Sequence, residues 1–223
     1  MPDTDLIELI YQDAHLLVLN KPAGLLCVPG RGEDKQDCLS ARAMQQWPDA
    51  LIVHRLDMAT SGLVLMARGG AMQRALSDAF ANRLVHKRYQ AIVDGAMPVR
   101  DEWSVIDAPL MADWPRRPLQ KVDPAGKPSI TRWRALDSSP AGDLAAATHV
   151  LLEPLTGRSH QLRVHLLSIG HPILGDALYG SAEVQARAPR LLLHASELGF
   201  VHPATQQTLR FESPPDFSLL SRP

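Results

Sequence analysis

One short segment, HRLDMATSGLVLMAR at residues 54–68, combines residue types that could do chemistry. Asp57 stands in a polar cluster directly before an apolar run, and the hydroxyl residues Thr60 and Ser61 follow it, with Gly62 after them. A carboxylate at the mouth of a strand, beside hydroxyls and a glycine, is a common way to hold a reactive group at a cleft. The alternative is an aspartate that only accepts hydrogen bonds from the backbone amides of a turn.

Two further segments supply candidate partners for that carboxylate. LTGRSHQLRVH at 155–165 contains Arg158 and Arg163, and KRY at 87–89 ends in Tyr89. Because a guanidinium beside a buried carboxylate keeps it ionised and fixes its orientation, either arginine is a candidate to pair with Asp57. The alternatives are an ordinary helix start with surface arginines and a tyrosine that packs in the core.

The elements that must position these residues follow from the hydrophobic pattern. Short apolar or alternating runs predict strands at 6–12, 15–20, 62–68, 87–95, 129–136 and 147–155, and a closing strand pair at 190–203 and 208–214. Helical spacing predicts helices at 38–46, 70–82 and 160–170, and the segments 21–37 and 107–128 are predicted as loops. Since strands outnumber helices and several are neighbours, we expect an α+β fold with a mixed, largely antiparallel central sheet flanked by helices.

Composition restricts the class of protein. The 223 residues are 45% hydrophobic and 21% charged, which is typical of a globular protein. The net charge of −1 does not indicate a nucleic-acid binder, but basic residues concentrate at 54–88 and 113–134 and could face phosphate or only solvent. Two cysteines exclude a disulfide scaffold and a four-cysteine zinc site. With no signal peptide or apolar membrane span in the sequence, a cytoplasmic protein without membrane contact is predicted.

Several motifs in a fixed order resemble those of the RluA-type RNA pseudouridine synthases. HRLDMATSG matches the family's HRLDxxTSG motif, KRYQAIVDG resembles the segment with its active-site tyrosine, and TGRSHQLRVH and GHPILGDALYG match its later motifs. The opening segment YQDAHLLVLNKPAGLLCVPG and the closing segment RLLLHASELGFVHP extend the resemblance over about residues 8–217. It implies the family's catalytic fold with a central cleft, and a single catalytic domain over 1–223 without the N-terminal S4 domain that many relatives carry.

The resemblance also implies a role for individual residues. These enzymes detach uracil from C1′ of its ribose, rotate it and rejoin it through C5, so no cofactor and no metal are expected. Asp57 would act at the ribose, either as a nucleophile at C1′ or by removing a ribose proton, with Arg158 paired to it. Tyr89 would stack on the uracil and assist proton loss from C5, and Arg55 would enter the RNA in place of displaced bases. Candidates for phosphate contact are Arg116, Arg117, Lys121, Arg132 and Arg134.

The segment DWPRRPLQKV at 113–122 points to a subgroup with two RNA substrates. The implied partners are the tRNA anticodon stem-loop and a 23S rRNA hairpin, each bound by a monomer. A uridine within a stem-loop is stacked, so it must be flipped out to reach a carboxylate, at a cost of a few kcal/mol. A sibling specificity for another RNA site is the main alternative, because one sequence does not decode the loops that select the target.

Two other classes of function remain as alternatives. The nine histidines, with His160 and His165 close together, could suggest a metal-dependent hydrolase, but their spacing is poor for one helix face and no HExxH pattern occurs. We expect these two histidines to form local hydrogen bonds or to pack. A non-catalytic RNA-binding module would be expected to lose the carboxylate, the tyrosine or the arginine, and all three are present.

Overall fold

The computed structural model, which describes residues 7–139 and 146–217, divides the chain into two compact units. The first unit comprises residues 1–87 and 195–214, and the second comprises 88–194 and 215–223. Each unit is therefore assembled from segments that are distant in sequence. The expectation of one catalytic domain over 1–223 stays a prediction.

Strands predominate among the elements, as the hydrophobic pattern predicts. The strands are β1 (Glu8–Gln12), β2 (Leu16–Lys21), β3 (Ala50–Ile52), β4 (Ser61–Arg68), β5 (His86–Asp94), β6 (Ser104–Asp107), β7 (Leu110–Ala112), β8 (Gln120–Val122), β9 (Ile130–Ser139), β10 (Ala147–Pro154), β11 (Leu193–Val201) and β12 (Thr208–Glu212). The helices are α1 (Leu39–Gln46), α2 (Gly70–Ala81), α3 (Gln161–Ser168) and α4 (Ala182–Ala186), and two short 3₁₀ turns cover Glu33–Lys35 and Trp114–Arg116. This content is that of an α+β protein.

The first unit is built around strand β4. In the order β1-β2-β4-β11, β4 lies between two neighbours, and β3 and β12 add to β4 and β11 respectively. Helix α2 packs against β4 and buries Leu76 in a cluster with Leu16, Leu63 and Leu65. Burial of one such leucine contributes about 1.5–3 kcal/mol to folding, so the strand that follows Asp57 is firmly anchored.

The second unit contains a sheet with one face covered by α3. Its strands follow the order β5-β10-β9-β6, with antiparallel pairing from β5 to β6. The residues of strand β9 alternate in burial: Thr131 and Ala135 are buried, whereas Arg132 and Arg134 are partly exposed. His165 of α3 lies with Nδ1 2.9 Å from the Thr131 hydroxyl, which places the helix on the buried face.

Most of the predicted elements are confirmed, and one prediction is wrong. The predicted loop at 107–128 contains the hairpin of β7 and β8, in which Leu110 pairs with Val122. The short elements β3, β6 and α4 were not predicted, since three to five residues carry too little periodicity. Within residues 7–139 and 146–217, no helix has the length and apolar character needed to cross a membrane.

Candidate active site

Asp57 lies in the loop between β3 and β4, half-buried, one turn before the strand begins. Its carbonyl oxygen accepts a hydrogen bond of 3.1 Å from the Thr60 amide, which closes that turn. Thr60 and Ser61 are both buried, at 2% and 7% exposure. The turn that leads from Asp57 into β4 is therefore tightly packed, and the backbone that carries the Asp57 carboxylate has little conformational freedom.

The residues on both sides of Asp57 are hydrogen-bonded to the segment that follows β2. The Leu56 amide donates to Sγ of Cys27 at 3.3 Å, and the Met58 carbonyl accepts from the Gly24 amide at 2.8 Å. Burial raises the pKa of the Cys27 thiol, which keeps it in the neutral form at ordinary pH. The loop that carries the carboxylate is thus held from one side by residues 21–27, so its geometry is set before any substrate binds.

Lys21 is the central group of this attachment, and it is completely buried, with 0% exposure. Its ammonium donates to the carbonyl oxygens of Pro22 at 2.8 Å, Leu25 at 2.7 Å and Met58 at 3.1 Å. Burial lowers the pKa of Lys21 to about 8, an effect that the nearby charge of Asp57 opposes. Sequence reasoning assigned Lys21 only to the start of a loop. The only sequence feature that could have indicated its role is its position, between the apolar run LLVLN and a proline.

His54 has a structural position in the same loop. Its Nε2 accepts a 2.9 Å hydrogen bond from the Leu65 amide, and its ring stacks on Phe80 of α2 with centroids 4.4 Å apart. The β3–β4 pairing ends at Ile52, and the His54 side chain provides the hydrogen-bond partner for the next part of β4. Because Nε2 acts as an acceptor, the folded state requires the neutral ring, and burial lowers the pKa of His54 to about 3.

This requirement predicts that acid destabilises the protein through His54. Between pH 6.5 and 3 the unfolded chain binds a proton at this histidine that the folded chain does not, so stability falls as pH falls through that window. From pH 7 to pH 5, we expect the unfolding free energy to decrease by about 2 kcal/mol more in the wild type than in His54→Gln. Urea unfolding at both pH values measures the difference. The exposed His15 provides a matched control, and an equal effect of His15→Gln would contradict this assignment.

Tyr89 belongs to the second unit, in strand β5. It pairs with Leu152 of β10, which itself pairs with Trp133 of β9. The side chain of Tyr89 is half-buried, in contrast to Ala91 and Val93 further along the strand, which are fully buried. A ring in this position is fixed by strand pairing but retains accessible surface, which suits contact with a planar ligand.

Arg158 lies in the loop between β10 and α3, where a buried glutamine fixes the backbone. Oε1 of Gln161 accepts from the Arg158 amide at 3.0 Å and from the Thr156 hydroxyl at 2.8 Å. Nε2 of Gln161 donates to the carbonyl of Ile130 at 3.0 Å. The Arg158 side chain is exposed, and Nε lies 3.5 Å from the Pro128 carbonyl. Gln161 of the GRSHQ segment therefore fixes the loop backbone that carries the Arg158 guanidinium.

The second arginine candidate, Arg163, has a structural partner. Its Nε and one terminal nitrogen donate to the carboxylate of Asp176 at 2.8 and 2.6 Å, and both side chains are buried. Such a two-point pair is strong and geometrically specific. The predicted local bonding of the histidines is confirmed: His160 Nδ1 lies 2.6 Å from the Tyr179 hydroxyl, and His165 Nε2 lies 2.9 Å from the Ala108 carbonyl.

The candidate RNA-binding residues fall into two groups in the second unit, with Arg55 exposed in the first. In the hairpin region, Arg116 pairs with Asp113 at 2.6 Å and Lys121 with Asp123 at 2.8 Å. Arg117 lies over the exposed ring of Trp114, 3.2 Å from its centroid. The other group, Arg132 and Arg134, lies on β9. Asp113 is buried, whereas the Arg116 side chain is exposed, and the Lys121–Asp123 pair lies at the surface, where ion pairs are weak.

Comparisons with known proteins agree with this architecture. The family model described as RNA pseudouridylate synthase matches residues 15–168, which include Asp57, Tyr89 and Arg158. The dual-specificity RNA pseudouridine synthase RluA of Escherichia coli (strain K12) is 46% identical, over 97% of this chain and 96% of its own length. Its namesake in Vibrio cholerae is also 46% identical, over 97% of this chain and 86% of its own length.

A solved structure supports the fold independently. The structure of human RNA pseudouridylate synthase domain containing 1 superimposes with a TM-score of 0.78 at 28% identity, covering 97% of this chain and 86% of that one. The curated relatives and this structure match nearly the whole chain, and the family model matches residues 15–168. The chain therefore belongs to the RNA pseudouridylate synthase family and is an RluA-type pseudouridine synthase, an isomerase that acts on RNA.

Proposed function

We propose that this enzyme has two substrates, a uridine in the tRNA anticodon stem-loop and a uridine in a 23S rRNA hairpin. The observation that carries the proposal is the 46% identity over almost the full length to relatives named dual-specificity. The DWPRRPLQKV segment, at the hairpin of β7 and β8, supports the same subgroup. A cytoplasmic location, which these RNA substrates support, and a monomeric state, which light scattering would check, belong to the proposal.

The proposed chemistry centres on Asp57. Its carboxylate acts at the ribose of the flipped uridine, either by bonding to C1′ as the N1–C1′ bond breaks or by taking a ribose proton to give a glycal. The detached uracil turns and bonds to C1′ through C5, while the Asp57–C1′ bond breaks or, in the glycal route, the carboxylate returns the ribose proton. C5 then loses its proton and N1 gains one, which completes the isomerisation and regenerates the carboxylate. Both routes conserve the atoms of the nucleotide, so neither a cofactor nor a metal enters the scheme. The fixed backbone around Asp57 supports this role, because a reacting group must be preorganised.

Arg158 and Tyr89 complete the proposed site. Arg158 pairs with the Asp57 carboxylate and fixes its orientation, a role that its rigid loop and its exposed guanidinium support. Tyr89 stacks on the uracil and assists the loss of the C5 proton. Since Arg163 already has Asp176 as a buried partner, Arg158 is the stronger of the two arginine candidates.

Contact with the rest of the RNA is assigned to basic residues. Arg55 precedes Asp57 by two positions and is exposed. Its side chain can therefore fill the space that the flipped base leaves in the base stack of the RNA. The remaining candidates, which would hold backbone phosphates, are Arg116, Arg117, Lys121, Arg132 and Arg134. Contacts made by Arg116, Arg117 and Lys121 would offset the few kcal/mol that flipping costs.

Pseudouridine mapping tests the choice of substrates. RNA from a strain lacking this gene, compared with its parent, should lose pseudouridine at one anticodon-loop position and at one 23S rRNA hairpin position. Purified enzyme should restore both sites in unmodified transcripts. Loss at a different RNA site would instead identify a family member with another specificity, and binding of both transcripts without conversion would favour a non-catalytic RNA-binding module.

The tyrosine role predicts a separation of catalysis from binding. Tyr89→Phe keeps the stacking ring and removes only the hydroxyl, so we expect kcat to fall by about 10²-fold with little change in RNA affinity. Single-turnover kinetics and filter binding measure the two quantities. Tyr11→Phe, which removes a hydroxyl bonded only locally to Asp13, is the matched control. Equal losses of affinity and rate in Tyr89→Phe would point to a packing role instead.

A further inference from the structure

Three arginines of the second unit, two of them already candidates for phosphate contact, lie around one tryptophan. The guanidinium carbons of Arg132, Arg134 and Arg88 lie 4.9, 5.4 and 5.6 Å from the ring centroid of Trp103. We infer that this arginine–tryptophan cluster is a second RNA-binding surface, which holds backbone phosphates outside the stem-loop that carries the target uridine. The inference rests on the proposed function, because it takes the partner to be substrate RNA.

The strand register places the cluster on the face of the sheet opposite to Tyr89. Tyr89 pairs with Leu152 and Leu152 with Trp133, so these side chains share one face. Neighbouring residues of a strand point to opposite faces, so Arg88 and Arg132 lie on the other one. A short stem-loop whose uridine lies against Tyr89 would contact only the Tyr89 face. Trp103 directly precedes β6, the edge strand of this sheet. A longer RNA can therefore extend around that edge and reach the cluster.

The cluster carries more positive charge than its own carboxylates neutralise. Glu153 pairs with Arg132 at 3.1 Å. The Nε of Arg134, by contrast, is buried and has no hydrogen-bond partner within the described part of the chain. Like charges around one ring repel each other, and a bound anion removes that repulsion. A phosphate contact is therefore favourable at this point of the surface.

A cavity beside Arg134 offers room for such a group. It has a volume of about 170 Å³ and is also lined by Arg100, Glu102, Ser104 and Trp133. Ser104 and Trp133 pair on the Tyr89 face, so the cavity lies at the β6 edge, between the two faces. A guanidinium that lies against an indole can still donate through its terminal N–H groups, which match two oxygens of a phosphate. Because three guanidiniums lie around one ring, the cluster suits the repeated phosphates of an RNA backbone.

The test compares a stem-loop of about 20 nucleotides with a 23S rRNA fragment of about 100 nucleotides that contains it, sizes chosen so that only the longer RNA can reach the opposite face. In Arg132→Gln/Arg134→Gln, we expect the Kd for the long fragment to rise about tenfold, and the slope of log K against log salt to decrease by about 1–2. The Kd for the short stem-loop should change less than about twofold. Filter binding supplies all of these values without any need for catalysis, so loss of isomerisation alone would count against the proposed function and not against this surface.

Two variants separate charge from folding. Arg132→Lys/Arg134→Lys keeps both charges, and we expect it to retain the wild-type salt slope for the long fragment. Arg74→Gln/Arg210→Gln removes two exposed arginines of the first unit and should leave the affinity of the long fragment nearly unchanged. An unchanged Kd of the glutamine double variant for the long fragment would overturn the inference. An equal loss for both RNAs, or a loss shared by the lysine variant, would overturn it as well.

Discussion

Replacing Asp57 with asparagine is expected to lower pseudouridine formation by about 10⁴-fold or more. Asparagine has nearly the same size and can still accept a hydrogen bond, but its amide neither attacks C1′ nor takes up a proton. The backbone on both sides of residue 57 is held by Cys27, Gly24 and Lys21, and none of these bonds uses the Asp57 side chain. We therefore expect the variant to fold and to bind RNA with an affinity close to that of the wild type.

Tritium release from a transcript labelled at C5 of uridine measures this loss directly, because the C5 hydrogen leaves only when pseudouridine forms. Asp78→Asn, an exposed aspartate on α2, is the matched control and should keep full activity. A thermal melt and a filter-binding curve of each variant separate loss of chemistry from loss of fold. Turnover of Asp57→Asn within tenfold of the wild type would refute the assignment of the carboxylate.

Replacing Arg158 with alanine is expected to reduce kcat by about 10²–10³-fold, the second largest effect. The guanidinium is assigned to hold the Asp57 carboxylate in its reactive orientation, and alanine removes that contact entirely. The loop itself should persist, because Gln161 binds the backbone amide of residue 158 and not its side chain. As the Arg158 side chain is exposed, the unfolding free energy should change by less than about 0.5 kcal/mol.

A split between kcat and KM identifies the origin of that effect. An arginine that orients the carboxylate should lower kcat at nearly constant KM, whereas an arginine that only binds phosphate should raise KM and flatten the salt dependence. Arg158→Lys should recover part of the rate, since it restores the charge without the two-point geometry. Arg210→Ala removes another exposed arginine and should behave as the wild type. Normal turnover of Arg158→Ala would show that the pairing is wrong.

The hydrophobic pattern of the sequence predicted long helices and strands better than short ones. The apolar spacing of residues 70–82 predicted α2 within one residue, and the alternation of 129–136 predicted strand β9, which spans Ile130–Ser139. Strands of three residues, such as β3 and β7, form because a partner strand is available, and the partner is not visible in their own sequence. The loop prediction for 107–128 failed for this reason.

The site shows the same division between local and distant information. The motif around Asp57 is contiguous, so the sequence alone pointed to it. The roles of two charged residues depend on groups far along the chain: Lys21 binds the carbonyl of Met58, and Arg163 binds Asp176. Before the fold is known, an arginine has many possible carboxylate partners, and a lysine at the end of a strand is indistinguishable from a solvated one.

The ammonium of Lys21 occupies a position comparable to that of a small structural cation. Three carbonyl oxygens from two stretches of chain, Pro22 and Leu25 in one and Met58 in the other, surround it as ligands would surround sodium or potassium. The loop next to the reacting carboxylate is therefore built around a covalently attached ion. A screen that scores loss of enzyme activity at position 21 would report assembly of that loop as much as chemistry, and only a parallel folding measurement would distinguish the two.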